Sequence, residues 1–146
     1  MAKHKLRPEM AEARKLGFHN IGEAASATGV SAKMIRDYEK LGLIPAADRS
    51  LAGYRLYADA DLHRVRFIRR ARSLGFSMKQ IAELMALWND RGRPSSKVKE
   101  LALAHVDAIE AKLAEMQAMQ RTLRALAGAC HGDGRPDCPI LDDLAG

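Results

Sequence analysis

The chain has 146 residues, 47% of them hydrophobic and only 5% aromatic, with a formal net charge of +6. That is enough apolar material for a core. It favours helices over a β-sandwich and suits a polyanionic partner such as nucleic acid. No apolar run approaches the ~20 residues that span a bilayer, and no apolar segment follows the basic start 1–7, so a cytoplasmic, non-membrane protein is expected.

Residues 1–18 read as an N-terminal extension. It is either a disordered appendage or a short helix over 8–16 ended by Gly17, with Lys and Arg side chains able to brush a phosphate backbone. A helix-turn-helix follows. Ile21, Ala24, Ala25 and Thr28 share one helical face, Gly29-Val30-Ser31 makes a tight turn, and Ser31 is placed as an N-cap. A second helix over 32–41 carries Met34, Ile35, Tyr38 and Leu41 at helical spacing, and Gly42 stops it. Its polar positions Lys33, Arg36 and Lys40 are candidates to face DNA, since this motif lays its second helix in the major groove. An ordinary helical hairpin with a solvated face is the alternative.

Residues 43–57 change character. Pro45, Asp48, Ser50 and Gly53 mark turns, and 54–57 alternate like a strand. A hairpin in this place is a wing, with Arg49 at its tip and Tyr54 and Arg55 on its return strand, residue types suited to phosphate contacts. Asp59 is expected to cap a third helix over 60–74, and Ser77 a fourth over 78–88, with Ile81, Leu84, Met85 and Trp88 on one face. Trp88 is read as core.

Residues 89–94 form a linker, and the longest helix starts at Ser95 and Ser96 and runs to about 126. Val106, Ile109, Leu113, Met116, Gln120 and Leu123 alternate by three and four, as in a coiled-coil seam. A stripe of this length has no place to bury on so small a head, so a homodimer through this helix is expected. The heptads leave parallel and antiparallel pairing open.

The only two cysteines, Cys130 and Cys138, are separated by seven residues in a loop rich in Gly, Pro and Asp. In a reducing compartment such a pair suits metal binding or redox chemistry better than a structural disulfide. Thiolates are soft ligands that select Cu(I), and by extension Ag(I) and Au(I), or bind Zn and Hg. Zinc commonly takes four Cys or His ligands, and only His131 lies nearby, read as a solvated loop residue. Two thiolates suit a two-coordinate monovalent ion and leave a charge of −1 to be offset. A helix N-terminus can do this. The helix beginning at Ser95, with Lys97 and Lys99 in its first turn, would supply it from a partner in an antiparallel dimer. A redox switch and an uninvolved pair are the alternatives on spacing alone.

Taken together, Ile21-Gly22-Glu23-Ala24-Ala25, the string from Ile35 to Leu43, and Gly53-Tyr54-Arg55-Leu56-Tyr57 resemble the MerR family of transcription regulators. The likeness runs over about 20–144. Cys130, Cys138, Pro139 and Ile140 are similar to its copper-efflux regulator branch. Divalent-metal sensors of the family carry a cysteine at the start of the dimer helix, where this chain has Ser95. The redox-sensing branch needs four cysteines, and the multidrug branch needs a large C-terminal ligand domain.

The resemblance implies a mainly α protein. Its parts are an extension 1–18, a winged helix-turn-helix domain 19–90, a linker and dimerisation helix 91–127, and a metal-binding loop and C-terminal segment 128–146. It implies Cys130 and Cys138 as metal ligands, with Ser95, Lys99 and His131 around them. It places Lys33, Arg36, Tyr38, Arg49, Tyr54, Arg55 and Arg72 on DNA, and Val106, Ile109, Leu113, Met116 and Leu123 in the dimer seam. The expected activity is transcriptional activation at a promoter whose spacer is too long. Metal binding shifts the heads, and the bent, undertwisted DNA is then presented correctly to RNA polymerase. A Zn(II) or Hg(II) responder and a constitutive DNA binder with a structural loop are the rival readings. No P-loop, G-x-S-x-G or H-E-x-x-H motif suggests an enzyme.

Overall fold

The computed structural model describes residues 7–146. Residues 1–6 of the extension lie outside the described residues. The chain divides into two compact units, with the boundary between Gly92 and Arg93, inside the linker expected over 89–94.

The first unit begins with α1 (Met10–Lys15), so the described part of the extension takes the short-helix alternative. It belongs to the same compact unit as the helix-turn-helix. Then come α2 (Ile21–Thr28) and α3 (Ala32–Lys40). Each start is capped by the side chain before it: Asn20 Oδ1 accepts the Glu23 N–H at 2.8 Å, and Ser31 Oγ accepts that of Met34 at 3.2 Å. Gly29 joins the two helices with φ 69°, a left-handed turn that a side chain would strain. Space is short there too, since a Cβ on Gly29 would meet Arg69 Nη1 at 2.5 Å.

The wing is a two-stranded antiparallel hairpin, β1 (Asp48–Arg49) and β2 (Arg55–Leu56), with Asp48 opposite Leu56 and Arg49 opposite Arg55. Its turn is held by the buried Ser50, whose N–H reaches the Tyr54 carbonyl at 2.8 Å and whose Oγ accepts the Tyr54 N–H at 3.1 Å.

The head closes with α4 (Asp59–Ser73) and α5 (Met78–Asn89). Asp59 is a helical residue of α4 rather than its cap; the N-cap is Ala58, whose N–H donates to Asp61 Oδ2 at 3.0 Å. Ser77 caps α5 as expected, with Gln80 returning the bond in a reciprocal box. Ile35, Tyr38, Ile44, Tyr57, Ile68 and Ile81 meet in one core. At about 1.5–3 kcal/mol for each large apolar side chain buried, this cluster is the main stabilising term of the head. Trp88 lies outside that core; its ring is partly exposed and stacks on Phe67 at 4.6 Å between centroids.

The second unit is α6 (Ser95–Ala129) and α7 (Pro139–Ala145), which pack on each other. α6 runs three residues beyond its expected end and takes in Gly128. Its 35 residues at 1.5 Å rise give about 52 Å. None of its side chains is buried within one chain. Pro139 opens α7 at the first helical position, where its missing N–H costs nothing. Among the described residues no helix is long and apolar enough to cross a membrane.

Candidate DNA interface and metal centre

The basic residues expected on DNA lie on α3, the wing and the end of α4. On α3, Lys33 is exposed and Arg36 half-buried. On the wing, Arg49 and Tyr54 are exposed, and Arg49 Nη1 donates to the Gly53 carbonyl at 2.8 Å, which closes the hairpin tip. Arg72 is exposed near the end of α4.

One expected DNA contact, Tyr38, is corrected by its burial, and a second, Arg55, is partly engaged within the head. Tyr38 is only 2% exposed and belongs to the core. Its spacing with Ile35 puts it on the apolar face of α3, and its hydroxyl accepts a bond from Arg72 Nη1 at 3.1 Å. It therefore holds Arg72 and presents no surface of its own. Arg55 is half-buried, with Nε 3.4 Å from Glu39 Oε2, an ion-pair distance without hydrogen-bond alignment. The side chain is turned toward α3 rather than freely outward.

Glu39 is the residue that sequence reading passed over. Oε1 accepts the Ala47 N–H at 2.9 Å, and Oε2 accepts the Tyr57 hydroxyl at 3.1 Å. One carboxylate on α3 thus clamps both ends of the wing. Burial first, and the Glu39 charge second, hold the Tyr57 phenol far above its ordinary pKa, so it stays a neutral donor. The signal available in the sequence was an acid set between the basic residues Arg36 and Lys40 on the second helix of the helix-turn-helix.

The cysteines sit at the two hinges of the α6–α7 loop. Cys130 is the C-cap of α6 and Cys138 the N-cap of α7; both are unpaired thiols and half-buried. Between them Asp133 staples the turn. Oδ1 accepts the Arg135 N–H at 2.9 Å and Oδ2 accepts Arg135 Nε at 2.8 Å. The same bonds hold the Asp133 carboxyl below its ordinary pKa. His131 is exposed on the loop. Among the described residues no group of three or more His, Cys, Asp or Glu is placed to hold an ion. Ser95 and Lys99 are not brought to the loop within the chain, because the length of α6 keeps Ser95 about 50 Å from Cys130.

The seam residues Val106, Ile109, Leu113, Met116 and Leu123 are all exposed in the single chain. Toward the C-terminal end of α6, Met116, Met119, Leu123 and Ala127 line an open apolar groove of about 460 Å³.

A winged helix-turn-helix followed by a long helix and a two-thiol loop defines a class: a DNA-binding regulator with an appended sensing segment. A family model described as MerR HTH family regulatory protein matches residues 19–88, and one described as MerR, DNA binding matches 62–126. The chain is 60% identical over 126 residues to the HTH-type transcriptional regulator HmrR of Sinorhizobium medicae, covering 86% of each. It is 42% identical over 127 residues to CueR of Escherichia coli O6:H1, covering 87% of this chain and 94% of that one. The transcription regulator PbrR691 of Ralstonia metallidurans CH34, solved with lead(II), superposes with a TM-score of 0.75 at 31% identity, covering 86% of this chain and 98% of that one. The chain belongs to the MerR family of DNA-binding transcription regulators.

Proposed function

We propose that the protein is a homodimeric activator. It binds promoter DNA and responds to Cu(I), with Ag(I) and Au(I) as alternates, to switch on copper-efflux and detoxification genes. The observation that carries this reading is the donor set: two half-buried thiols at the two ends of one loop, with no third ligand grouped with them among the described residues. Two thiolates complete the coordination of a linear monovalent soft ion and leave zinc two ligands short. The ion, when bound, would supply a link between the C-terminal end of α6 and the start of α7. Cys130 and Cys138 hold it; Asp133 and Arg135 keep the intervening turn compact. The residual charge of −1 calls for the α6 N-terminus with Ser95 and Lys99, which only a second, antiparallel copy can bring within reach.

On the DNA side, Lys33 and Arg36 on α3, with Arg49, Tyr54 and the outer part of Arg55 on the wing, contact the duplex, and Arg72 is held for the backbone by Tyr38. Glu39 keeps helix and wing in register, so a shift of the heads moves both together. The output is DNA shape presented to RNA polymerase rather than occupancy of the site.

Anaerobic titration of the reduced protein with Cu(I) and Zn(II) against chelators, with X-ray absorption, tests the ion. One tight Cu(I) per chain with two sulfur neighbours and much weaker Zn(II) is expected; tighter Zn(II) overturns the copper assignment. Cys138→Ser is expected to abolish metal-dependent transcription while DNA affinity stays within a few-fold. A collapse of DNA binding would make the loop structural. A divalent ion is the second reading, favoured by the lead(II) bound in PbrR691. It requires a donor beyond the two thiols, with His131 the first to mutate, and extra nitrogen or oxygen neighbours in the absorption spectrum would reveal it.

A further inference from the structure

The second half of α4 carries a basic face that the residues expected on DNA do not include. Arg66, Arg69, Arg70 and Ser73 recur at the three- and four-residue steps that bring side chains to one side of a helix. This side lines an open groove of about 590 Å³ against the end of α2 and the turn at Gly29. Two of the guanidinium groups are anchored there. Arg66 Nη2 donates to the Ala27 carbonyl at 3.2 Å, and Arg69 Nη1 to the Thr28 carbonyl at 2.9 Å. These bonds satisfy carbonyls that the C-terminal end of a helix leaves without partners. A guanidinium has more N–H donors than the one spent here, so both groups are oriented in advance and keep donors for a ligand. Among the described residues, neither the Arg70 guanidinium nor the Ser26 hydroxyl at the rim is bonded to another part of the chain.

No acid offsets this charge. From residue 62 to residue 82 the chain has no Asp or Glu, yet it carries Arg64, Arg66, Arg69, Arg70, Arg72 and Lys79. Arg14, Arg55, Arg64 and Arg135 each stand beside a carboxylate, and the three arginines of the groove do not. Like charges gathered on one wall repel one another, and an anion between them removes that cost. Guanidinium forks match carboxylates and phosphates alike. A phosphate presents more oxygens around one centre, enough to take several forks and a hydroxyl at once. Ser73 is not among the donors, because its Oγ already donates to the Arg70 carbonyl at 2.6 Å. The groove exceeds a single phosphate and falls in the size range of small-ligand sites, so it has room for the rest of the molecule.

We propose that Arg66, Arg69 and Arg70, with the Ser26 hydroxyl, form a phosphate-binding groove between α2 and α4. The phosphate belongs either to the backbone of a bound duplex or to a free phosphorylated molecule. Its binding does not depend on the metal reading of the cysteine loop.

The test compares the full chain with its Arg66→Gln/Arg70→Gln variant. Arg69 is left in place because it closes on Gly29. Calorimetric titration with pyrophosphate, in low salt and a phosphate-free buffer, reads the free ligand. The salt dependence of duplex binding reads the backbone. A fall in pyrophosphate affinity of about tenfold or more in the variant assigns the groove to a free phosphorylated molecule. A log–log salt slope shallower by about 0.9 for each phosphate no longer neutralised, without pyrophosphate binding by the unaltered protein, assigns it to the duplex. Equal salt slopes together with no variant-sensitive pyrophosphate binding overturn the site. The thermal melt is expected to stay unchanged. If the double variant melts lower, Arg70→Gln alone repeats both arms, since its guanidinium carries no bond within the head.

Discussion

The head and the long helix solve the hydrophobic problem in opposite ways. Through Gly92 the chain buries its own apolar residues: Ile35, Tyr38, Tyr57, Ile68 and Ile81 meet inside one unit, and α2, α3 and α5 carry side-chain caps of their own. From Arg93 onward nothing on α6 is buried, no side chain caps its start, and its apolar stripe from Leu103 to Leu123 faces outward. Helices owe most of their stability to packing of such a face, so the head is complete as a single chain and the long helix is not. The two-thiol loop rides on the incomplete part, at the far end of α6 from the head.

The largest expected effect is on the long helix. Ile109→Asp with Leu113→Asp puts charges into the seam and removes burial worth on the order of 6 kcal/mol per dimer. Sedimentation is expected to show monomers, with a lower helix signal and an intact head; a dimer that survives would show that the seam lies on another face. Next comes the clamp between helix and wing. Glu39→Ala leaves the Ala47 N–H and the Tyr57 hydroxyl without their shared acceptor and Arg55 without its ion-pair partner, and the head is expected to lose about 2–4 kcal/mol in urea denaturation. A loss below about 1 kcal/mol would mean that water replaces the carboxylate. Ser77→Ala removes one reciprocal helix cap at about 1 kcal/mol, and α6 should register nothing.

The smallest effect is one of pH. The Tyr57 pKa is raised in the folded head, so its share of stability is full below the ordinary tyrosine value of about 10 and drains away as pH rises from there toward the folded value. Tyr57→Phe should flatten the alkaline fall of head stability, and identical alkaline slopes would exclude Tyr57 as its source.

Features set within a few residues were legible from the sequence. Ser31 and Ser77 cap their helices as expected, because a cap needs only its own helix's first turn. Gly29 and Gly42 have positive φ at the helix ends where turns are expected. The two thiols fall on one loop because Gly and Pro between them cannot continue a helix. The errors share a cause. Tyr38, expected on DNA, packs inward, since its spacing with Ile35 outweighs its polar tip. Asp59 is not the cap, because Ala58 adopts the extended cap conformation and Asp61 supplies the bond. Glu39 gives no local sign of its role, since its partners lie 8 to 18 residues away.

The order of elements, the exposed apolar stripe of α6 and the placing of two thiols on one loop follow from local pattern alone, because periodicity, caps and turn residues act within one or two helical turns. The tertiary structure decided which cations are already engaged and where the extension lies. Arg72 on Tyr38, Arg55 beside Glu39, and Pro8 against Leu51 are pairs made between distant parts of the chain. No local periodicity encodes such meetings; they exist only once the core has drawn the helices and the wing together.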